Sequence, residues 1–163
     1  MKQISILGST GSIGRNALDL IAAHPDRYRV AALAAGRNIE LLAEQAARFR
    51  PEVVAVQDDG PAGELRARIP ADQGTRVLQG REGVALVASL EGVDTVISAI
   101  TGAAGLEPTM AAIRAGKEVA LANKETLVMA GELVMREARE RSVRVIPVDS
   151  EHSAVLQSLQ GHD

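Results

Sequence analysis

The 163-residue sequence contains no cysteine, and its aromatic residues are limited to Tyr28 and Phe49. Without cysteine the protein has no disulfide framework, no thiolate metal site and no cysteine nucleophile, a composition that fits a reducing compartment. Two aromatic side chains are too few for the stacking platforms that bind single-stranded nucleic acid. Eighteen basic and 21 acidic residues give a net charge of −3, which also argues against nucleic-acid binding.

Long apolar runs are missing as well. The uninterrupted apolar stretches, such as residues 84–88, fall far short of the roughly 20 residues needed to cross a bilayer. The apolar start of the chain, residues 4–7, is too short for a secretory signal and lacks the Arg- and Ser-rich character of a transit peptide. The sequence therefore predicts a cytoplasmic protein with no membrane partner.

The apolar share of 46% is nevertheless enough for a core. A chain of this size can bury roughly two-thirds of its extended-chain surface, so one domain can fold without cross-links. Short, nearly all-apolar runs alternate with longer segments of helical period. Such runs are typical of strands buried on both faces, in a parallel sheet that helices cover. The predicted strands are residues 3–7, 29–33, 53–56, 75–78, 95–98, 118–121 and 144–148.

Helical periodicity predicts the connections between these strands. Residues 39–49 carry an apolar stripe and end before Pro51, residues 106–115 end at Gly116, and residues 126–141 carry a second stripe. Repeated strand–helix–strand units with right-handed crossovers predict an α/β fold, a doubly wound, mostly parallel sheet with helices on both faces. Ligands of such sheets bind at the carboxyl ends of the strands.

A glycine-rich segment follows the first predicted strand directly and opens a helix: Gly8-Ser9-Thr10-Gly11-Ser12-Ile13-Gly14. The spacing is GxxGxxG instead of GxGxxG, but the physical argument is the same. Small residues allow the backbone to approach a pyrophosphate, which free N–H groups at the helix start can bind. The alternative is a tight strand-to-helix turn without a ligand. The position after the first strand favours nucleotide binding.

The end of the second predicted strand, Ala35-Gly36-Arg37-Asn38, contains no carboxylate. An NAD site usually has an acidic residue there to hold the ribose 2′-hydroxyl, whereas an arginine can pair with a 2′-phosphate. This favours NADP over NAD. In the alternative interpretation Asn38 caps the next helix and Arg37 is solvated, and Asn38 can do both.

Three further segments follow later strands. Residues 98–105 form a small-residue loop that either lies near the reactive end of a cofactor or is a plain connection. The triplet Asn123-Lys124-Glu125 either includes a lysine for a substrate phosphate or hydroxyl or is an ordinary helix start. The segment Asp149-Ser150-Glu151-His152 offers two carboxylates to Mg²⁺ or Mn²⁺, or else caps a terminal helix at residues 153–160.

Taken together, three segments resemble the 1-deoxy-D-xylulose 5-phosphate reductoisomerase family: residues 8–14, residues 120–128 and residues 147–154. The resemblance spans the whole chain. It implies a Rossmann-like NADPH-binding domain at residues 1–148 and the start of the catalytic, metal-binding region at residues 149–163. It also implies an enzyme of non-mevalonate isoprenoid biosynthesis. That enzyme rearranges 1-deoxy-D-xylulose 5-phosphate, a small phosphorylated sugar, and reduces the product with NADPH to 2-C-methyl-D-erythritol 4-phosphate, using Mn²⁺ or Mg²⁺.

The same resemblance implies a role for each matching residue. Lys124 and Glu151 would be catalytic, and Lys124, Ser150 and Glu151 would contact the substrate. Asp149 and Glu151 would ligate the metal. The residues implied to bind the cofactor are Thr10, Gly11, Ser12 and Ile13 at its phosphates, Gly36, Arg37 and Asn38 at its 2′-phosphate end, and Asn123 and Glu125 facing it elsewhere.

Members of the family are more than twice as long as this chain. We therefore expect a piece of the enzyme that binds NADPH but is inactive by itself, with the full-length enzyme a homodimer. A second hypothesis is a stand-alone NADP-binding module in which Asp149 and Glu151 only cap a helix. A third is another oxidoreductase, similar to homoserine or sugar dehydrogenases, against which the motifs at residues 123–125 and 149–152 argue.

Overall fold

We describe the fold from a computed structural model, which covers residues 1–58 and 62–148, together with Ala154, Val155, Gln157 and Ser158. Seven strands form one sheet in the order β4-β3-β2-β1-β5-β6-β7, and all neighbouring strands are parallel. The strands are β1 (Lys2–Leu7), β2 (Tyr28–Ala35), β3 (Val53–Val56), β4 (Arg76–Gln79), β5 (Thr95–Ser98), β6 (Glu118–Leu121) and β7 (Val145–Pro147).

Six helices within residues 1–58 and 62–148 connect these strands. They are α1 (Ser12–Ala23), α2 (Ile39–Phe49), α3 (Ala62–Arg68), α4 (Gly80–Ser89), α5 (Leu106–Arg114) and α6 (Lys124–Glu140), with short 3₁₀ turns at Ala71–Gln73 and Ala103–Gly105. In the part of the chain that the structure describes, no helix is long and apolar enough to cross a membrane.

Two apolar clusters cover the two faces of the sheet. Side chains of α1, α2 and α3 pack on one face, against Ile4 and Ile6 of β1. Side chains of α4, α5 and α6 pack on the other, against Leu7 of β1. All four residues of β3 are completely buried, as expected for a continuous apolar run that is covered on both faces. The doubly wound α/β sheet with helices on both faces is confirmed.

The order of the strands creates a crevice beside β1. The chain moves outward from β1 through β2 and β3 to β4 at the edge, and α4 then packs back across that half of the sheet. It re-enters on the opposite side of β1 as β5. The direction of winding therefore reverses between β1 and β5, at the position where doubly wound sheets bind their ligands.

An ion-pair cluster fixes the end of α6 against α5. The Glu137 carboxylate accepts hydrogen bonds from Arg141 (3.1 Å) and from Arg114 of α5 (3.4 Å). The hydrogen bond from Arg141 and the charge of Arg114 hold the pKa of Glu137 below its ordinary value. Since the folded state lowers this pKa, the contribution to stability is present at neutral pH and is lost as the pH falls through it.

Candidate dinucleotide-binding site

The predicted binding segments all follow carboxyl ends of strands. Residues 8–11 follow β1, residues 36–38 follow β2, residues 99–102 follow β5, and residues 122–123 follow β6. Because every neighbouring pair of strands is parallel, these segments lie at one edge of the sheet, around the β1–β5 crevice. The structure therefore brings the glycine-rich segment, the 2′-phosphate segment and the Asn123 triplet to the same edge.

The segment after β1 is packed too closely for side chains at two of its glycines. Gly8 has a φ of +84°, and a Cβ atom there would lie 2.6 Å from the Ala99 carbonyl oxygen. A Cβ atom on Gly14 would collide with the Gly8 carbonyl oxygen and lie 2.6 Å from the Ser9 Cα atom. The loop from Gly8 to Gly11 is thus folded tightly over the start of α1.

The start of α1 has free backbone donors. Gly11 is its N-cap residue and supplies no side chain, and the Arg15 N–H is the donor to the Gly11 carbonyl (2.9 Å). The N–H groups of the first turn, including Ser12 and Ile13, have no acceptor within the helix. They point with the positive end of the helix dipole toward the sheet edge, which suits a pyrophosphate. Ser12 is exposed, and Thr10 and Ile13 are half-buried.

Ser9 and Gln45 form a buried pair that the sequence analysis missed. The Ser9 hydroxyl donates to Gln45 Oε1 (2.7 Å), and Gln45 Nε2 donates to the Ser9 carbonyl (2.9 Å). Gln45 lies in α2, between Leu42 and Ala46 of the apolar face. A glutamine next to an apolar stripe is the only signal in the sequence, and it does not identify the partner 36 residues away.

The segment after β2 presents Arg37 to solvent. Its side chain is 90% exposed, and its Nε donates to the Asp58 carboxylate at 2.9 Å. Asn38 caps α2 by accepting a hydrogen bond from the Leu41 N–H (3.1 Å), as one interpretation of the sequence predicted. Gly36 is exposed, and a Cβ atom on it would have nothing within 4 Å. The 2′-phosphate role of these residues stays a prediction.

Asn123 is almost fully buried, and its amide joins two segments of the site. Its Nδ2 donates to the Ile100 carbonyl and to the Gly102 carbonyl (2.9 Å), while its Oδ1 caps α6 by accepting from the Thr126 N–H (3.1 Å). Lys124 is exposed and Glu125 is half-buried in the first turn of α6. The triplet is therefore a capped helix start. The cofactor and substrate contacts predicted for its residues stay predictions.

Buried hydroxyls hold the other end of the same loop. Ser98 and Thr109 share a hydrogen bond of 2.8 Å, and the Thr109 hydroxyl also donates to the Gly105 carbonyl at 2.6 Å. A Cβ atom on Gly105 would lie 2.8 Å from the Ile100 carbonyl oxygen and would collide with the Asn123 amide. The loop from residue 99 to residue 105 is thus fixed from β5, α5 and α6.

The predicted metal ligands Asp149 and Glu151, together with Ser150, lie outside the described residues, as do four of the eight residues of the predicted terminal helix. Within the described ranges, no group of three or more His, Asp or Glu side chains could hold a metal ion. The residues before the predicted metal ligands are placed: Pro147 of β7 pairs with Leu121 of β6, next to the residues that lead into Asn123.

The comparisons with known proteins agree with each other. A family model described as 1-deoxy-D-xylulose 5-phosphate reductoisomerase matches residues 4–131. The enzyme of that name from Prosthecochloris aestuarii is 54% identical over 162 residues, which cover 99% of this chain and 42% of the relative. The chain therefore spans about 42% of the length of such curated relatives.

Two solved structures have the same fold. One, a DOX-P reductoisomerase in complex with NADPH, fosmidomycin and magnesium, has a TM-score of 0.92 and 43% identity, over 96% of this chain and 38% of that one. The other, the reductoisomerase from Zymomonas mobilis in complex with NADPH, has a TM-score of 0.91 and 42% identity, over 96% of this chain and 41% of that one.

Proposed function

Because this chain belongs to the 1-deoxy-D-xylulose 5-phosphate reductoisomerase family, we propose that it is the NADPH-binding portion of such an enzyme. The observation that carries the proposal is the uncapped start of α1 beneath the tight Gly8–Gly14 segment, at the reversal of winding beside β1. A side chain at Gly8 or Gly14 would collide with backbone atoms of the loops that form this site. Both similar solved structures are complexes that contain NADPH, which supports the same assignment here.

In this proposal the cofactor is held at two ends. The backbone around Thr10, Gly11, Ser12 and Ile13 binds its pyrophosphate, because these residues surround the free donors of α1. Arg37, exposed beside Gly36 and Asn38, pairs with the 2′-phosphate and thus selects NADPH over NADH. Asn123 and Glu125 lie at the start of α6, on the opposite side of the β1–β5 crevice, and face the rest of the cofactor.

The reaction of the whole enzyme is a rearrangement of 1-deoxy-D-xylulose 5-phosphate followed by reduction to 2-C-methyl-D-erythritol 4-phosphate. NADPH supplies the hydride, and Mg²⁺ or Mn²⁺ supplies a Lewis acid for the substrate oxygens. Of this chain's residues, Lys124 adds positive charge next to the substrate, Ser150 contacts it, and Asp149 and Glu151 provide carboxylate oxygens of the kind these metals prefer. The magnesium in the similar complex supports the metal assignment.

We further propose that this chain alone binds NADPH without turnover, since it spans about 42% of its relatives' length. A division into residues 1–148 for the cofactor and 149–163 for the start of the catalytic region is part of the same proposal. Homodimerisation of the full-length enzyme and a cytoplasmic location, which the lack of cysteine supports, remain predictions.

Titration of the chain with NADPH and NADH tests the cofactor assignment. We expect NADPH to bind more tightly than NADH. Arg37→Ala should weaken NADPH binding about tenfold, because the charge-assisted pair with the 2′-phosphate is lost, and should leave the NADH affinity unchanged. NADPH fluorescence measures the dissociation constant of NADPH, and calorimetry measures that of NADH. Arg136→Ala, which removes an exposed arginine of α6, is the matched control. Absence of NADPH binding, or equal losses for both cofactors, contradicts the assignment.

Manganese titration followed by electron paramagnetic resonance tests the metal assignment. Two carboxylates are few ligands for a metal that prefers six oxygens, so we expect weak Mn²⁺ binding that the double variant Asp149→Asn, Glu151→Gln abolishes. NADPH affinity should persist in that variant. If Mn²⁺ binding is the same with and without the two carboxylates, they only cap a helix and the stand-alone module becomes the better interpretation.

A further inference from the structure

Gln45 is a buried amide at a position where packing alone would favour an apolar side chain. It is 6% exposed and lies in α2 next to Ala46 and one turn after Leu42, both fully buried. Burying an amide costs free energy unless its polar atoms are paired. Both ends of this amide are paired with one residue, Ser9, through hydrogen bonds of 2.7 and 2.9 Å. The glutamine therefore serves the contact with Ser9.

Ser9 is held from two sides at the base of the glycine-rich loop. Its side chain is completely buried, and its N–H and the Gly8 N–H both donate to the Ala34 carbonyl of β2 (2.9 and 2.8 Å). The next residue along the chain is Thr10, the first of the residues assigned to the cofactor phosphates. Since Gly14 packs directly on the Ser9 backbone, Ser9 also sets the position of the first turn of α1.

The helix that carries Gln45 also carries the other end of the proposed site. The α2 helix begins behind Asn38, which caps it, and Arg37 immediately precedes that cap. About two turns further along, the same helix reaches Ser9 through Gln45. A rigid helix thus connects the segment assigned to the 2′-phosphate with the loop assigned to the pyrophosphate.

We propose that Gln45 is a positioning residue of the dinucleotide site: its paired amide fixes the pyrophosphate loop to α2, so that one helix aligns both ends of the cofactor. The inference rests on the proposed NADPH-binding function. It assigns no contact between Gln45 and the cofactor. The backbone at residues 10–13 binds the phosphates, and the Gln45–Ser9 pair determines where that backbone lies.

The test compares a ligand that spans both ends with one that occupies a single end. Gln45→Met keeps most of the side-chain volume and removes both hydrogen bonds, and Ser9→Ala removes the hydroxyl. We expect each variant to weaken NADPH binding about tenfold. The affinity for adenosine 2′-monophosphate, which reaches only the Arg37 end of the site, should stay within about twofold of that of the unchanged chain. Glu44→Gln, an exposed change one residue away, is the matched control and should alter neither affinity.

A double variant completes the design. If the two side chains act as a pair, Gln45→Met with Ser9→Ala should bind NADPH no more weakly than the more affected single variant. Thermal unfolding by circular dichroism verifies that each variant is folded, and Ser9→Ala carries the test if Gln45→Met does not fold. Unchanged NADPH affinity in the single variants, or equal losses for both ligands, overturns the inference. Failure of the unchanged chain to bind NADPH overturns the proposed function, and the inference with it.

Discussion

The Gly14→Ala variant is expected to lose NADPH binding by more than about a hundredfold and to be less stable by about 3 kcal/mol. The added methyl group would collide with the Gly8 carbonyl oxygen and lie 2.6 Å from the Ser9 Cα atom. Both obstacles are backbone atoms, which cannot rotate away as a flexible side chain can. To make room, α1 must move away from the loop, and its free N–H groups would then no longer face the pyrophosphate.

Two other glycines provide the comparison for this variant. A Cβ atom on Gly63, in α3, has nothing within 4 Å, so Gly63→Ala should leave NADPH binding unchanged and stabilise the helix by up to about 1 kcal/mol. A Cβ atom on Gly11 meets only the Gly8 carbonyl oxygen, at 3.3 Å, so Gly11→Ala should fall between the two. Chemical denaturation measures the stability of the three variants, and titration measures their NADPH affinity. Normal NADPH binding by Gly14→Ala would show that the cofactor does not use the start of α1.

Much of the fold was predictable because the sheet is parallel and buried. All seven predicted strands are present. Central strands that are covered on both faces, such as β3, are continuous apolar runs, and such runs are visible in the sequence. The predicted α2, residues 39–49, is confirmed at both ends. Strand β2 extends two residues further than predicted, to Ala35, because buried alanines that are poor strand formers still fit between β1 and β3.

Two helices, α3 and α4, were not predicted, and the start of a third, α6, was predicted too late. Helix α4 begins at Gly80, and Gln79 before it makes no side-chain cap. The apolar residues 84–88 alone therefore did not show where this helix begins. Helix α3 has only seven residues. Helix α6 begins at Lys124, two residues earlier than the stripe from residue 126 indicated, because Asn123 caps it. Periodicity locates the middle of a helix better than its first turn.

The site was predictable where a residue acts through its own backbone and not where it acts through a distant partner. Gly8 and Gly14 are recognisable because a tight turn after a strand needs glycine. The pairing of Arg37 with Asp58 spans 21 residues, and that of Ser9 with Gln45 spans 36. Neither pairing follows from residue spacing, since the first depends on β3 pairing with β2 and the second on α2 packing against the loop after β1.

Asn123→Asp is expected to destabilise the chain at least as much as Asn123→Ala, by about 2–4 kcal/mol. An aspartate is as good an N-cap as asparagine, so the hydrogen bond from the Thr126 N–H would survive. The two hydrogen bonds from Nδ2 to the Ile100 and Gly102 carbonyls would be replaced by repulsion between a carboxylate oxygen and these two carbonyl oxygens. The loss of these donors in a nearly buried position therefore outweighs the preserved cap.

Asn38 allows the capping contribution to be measured separately. It caps α2 in the same manner, through the Leu41 N–H, but it is exposed. Asn38→Asp should therefore be close to neutral, and Asn38→Ala should cost about 1 kcal/mol. Urea denaturation of the four variants gives the comparison. If Asn123→Asp were as stable as the unchanged chain, the loop at residues 99–105 would not depend on the Asn123 amide. The loop beside the β1–β5 crevice would then have to be held by the hydroxyls of Ser98 and Thr109 and by backbone hydrogen bonds such as that from the Ala99 N–H to the Leu7 carbonyl.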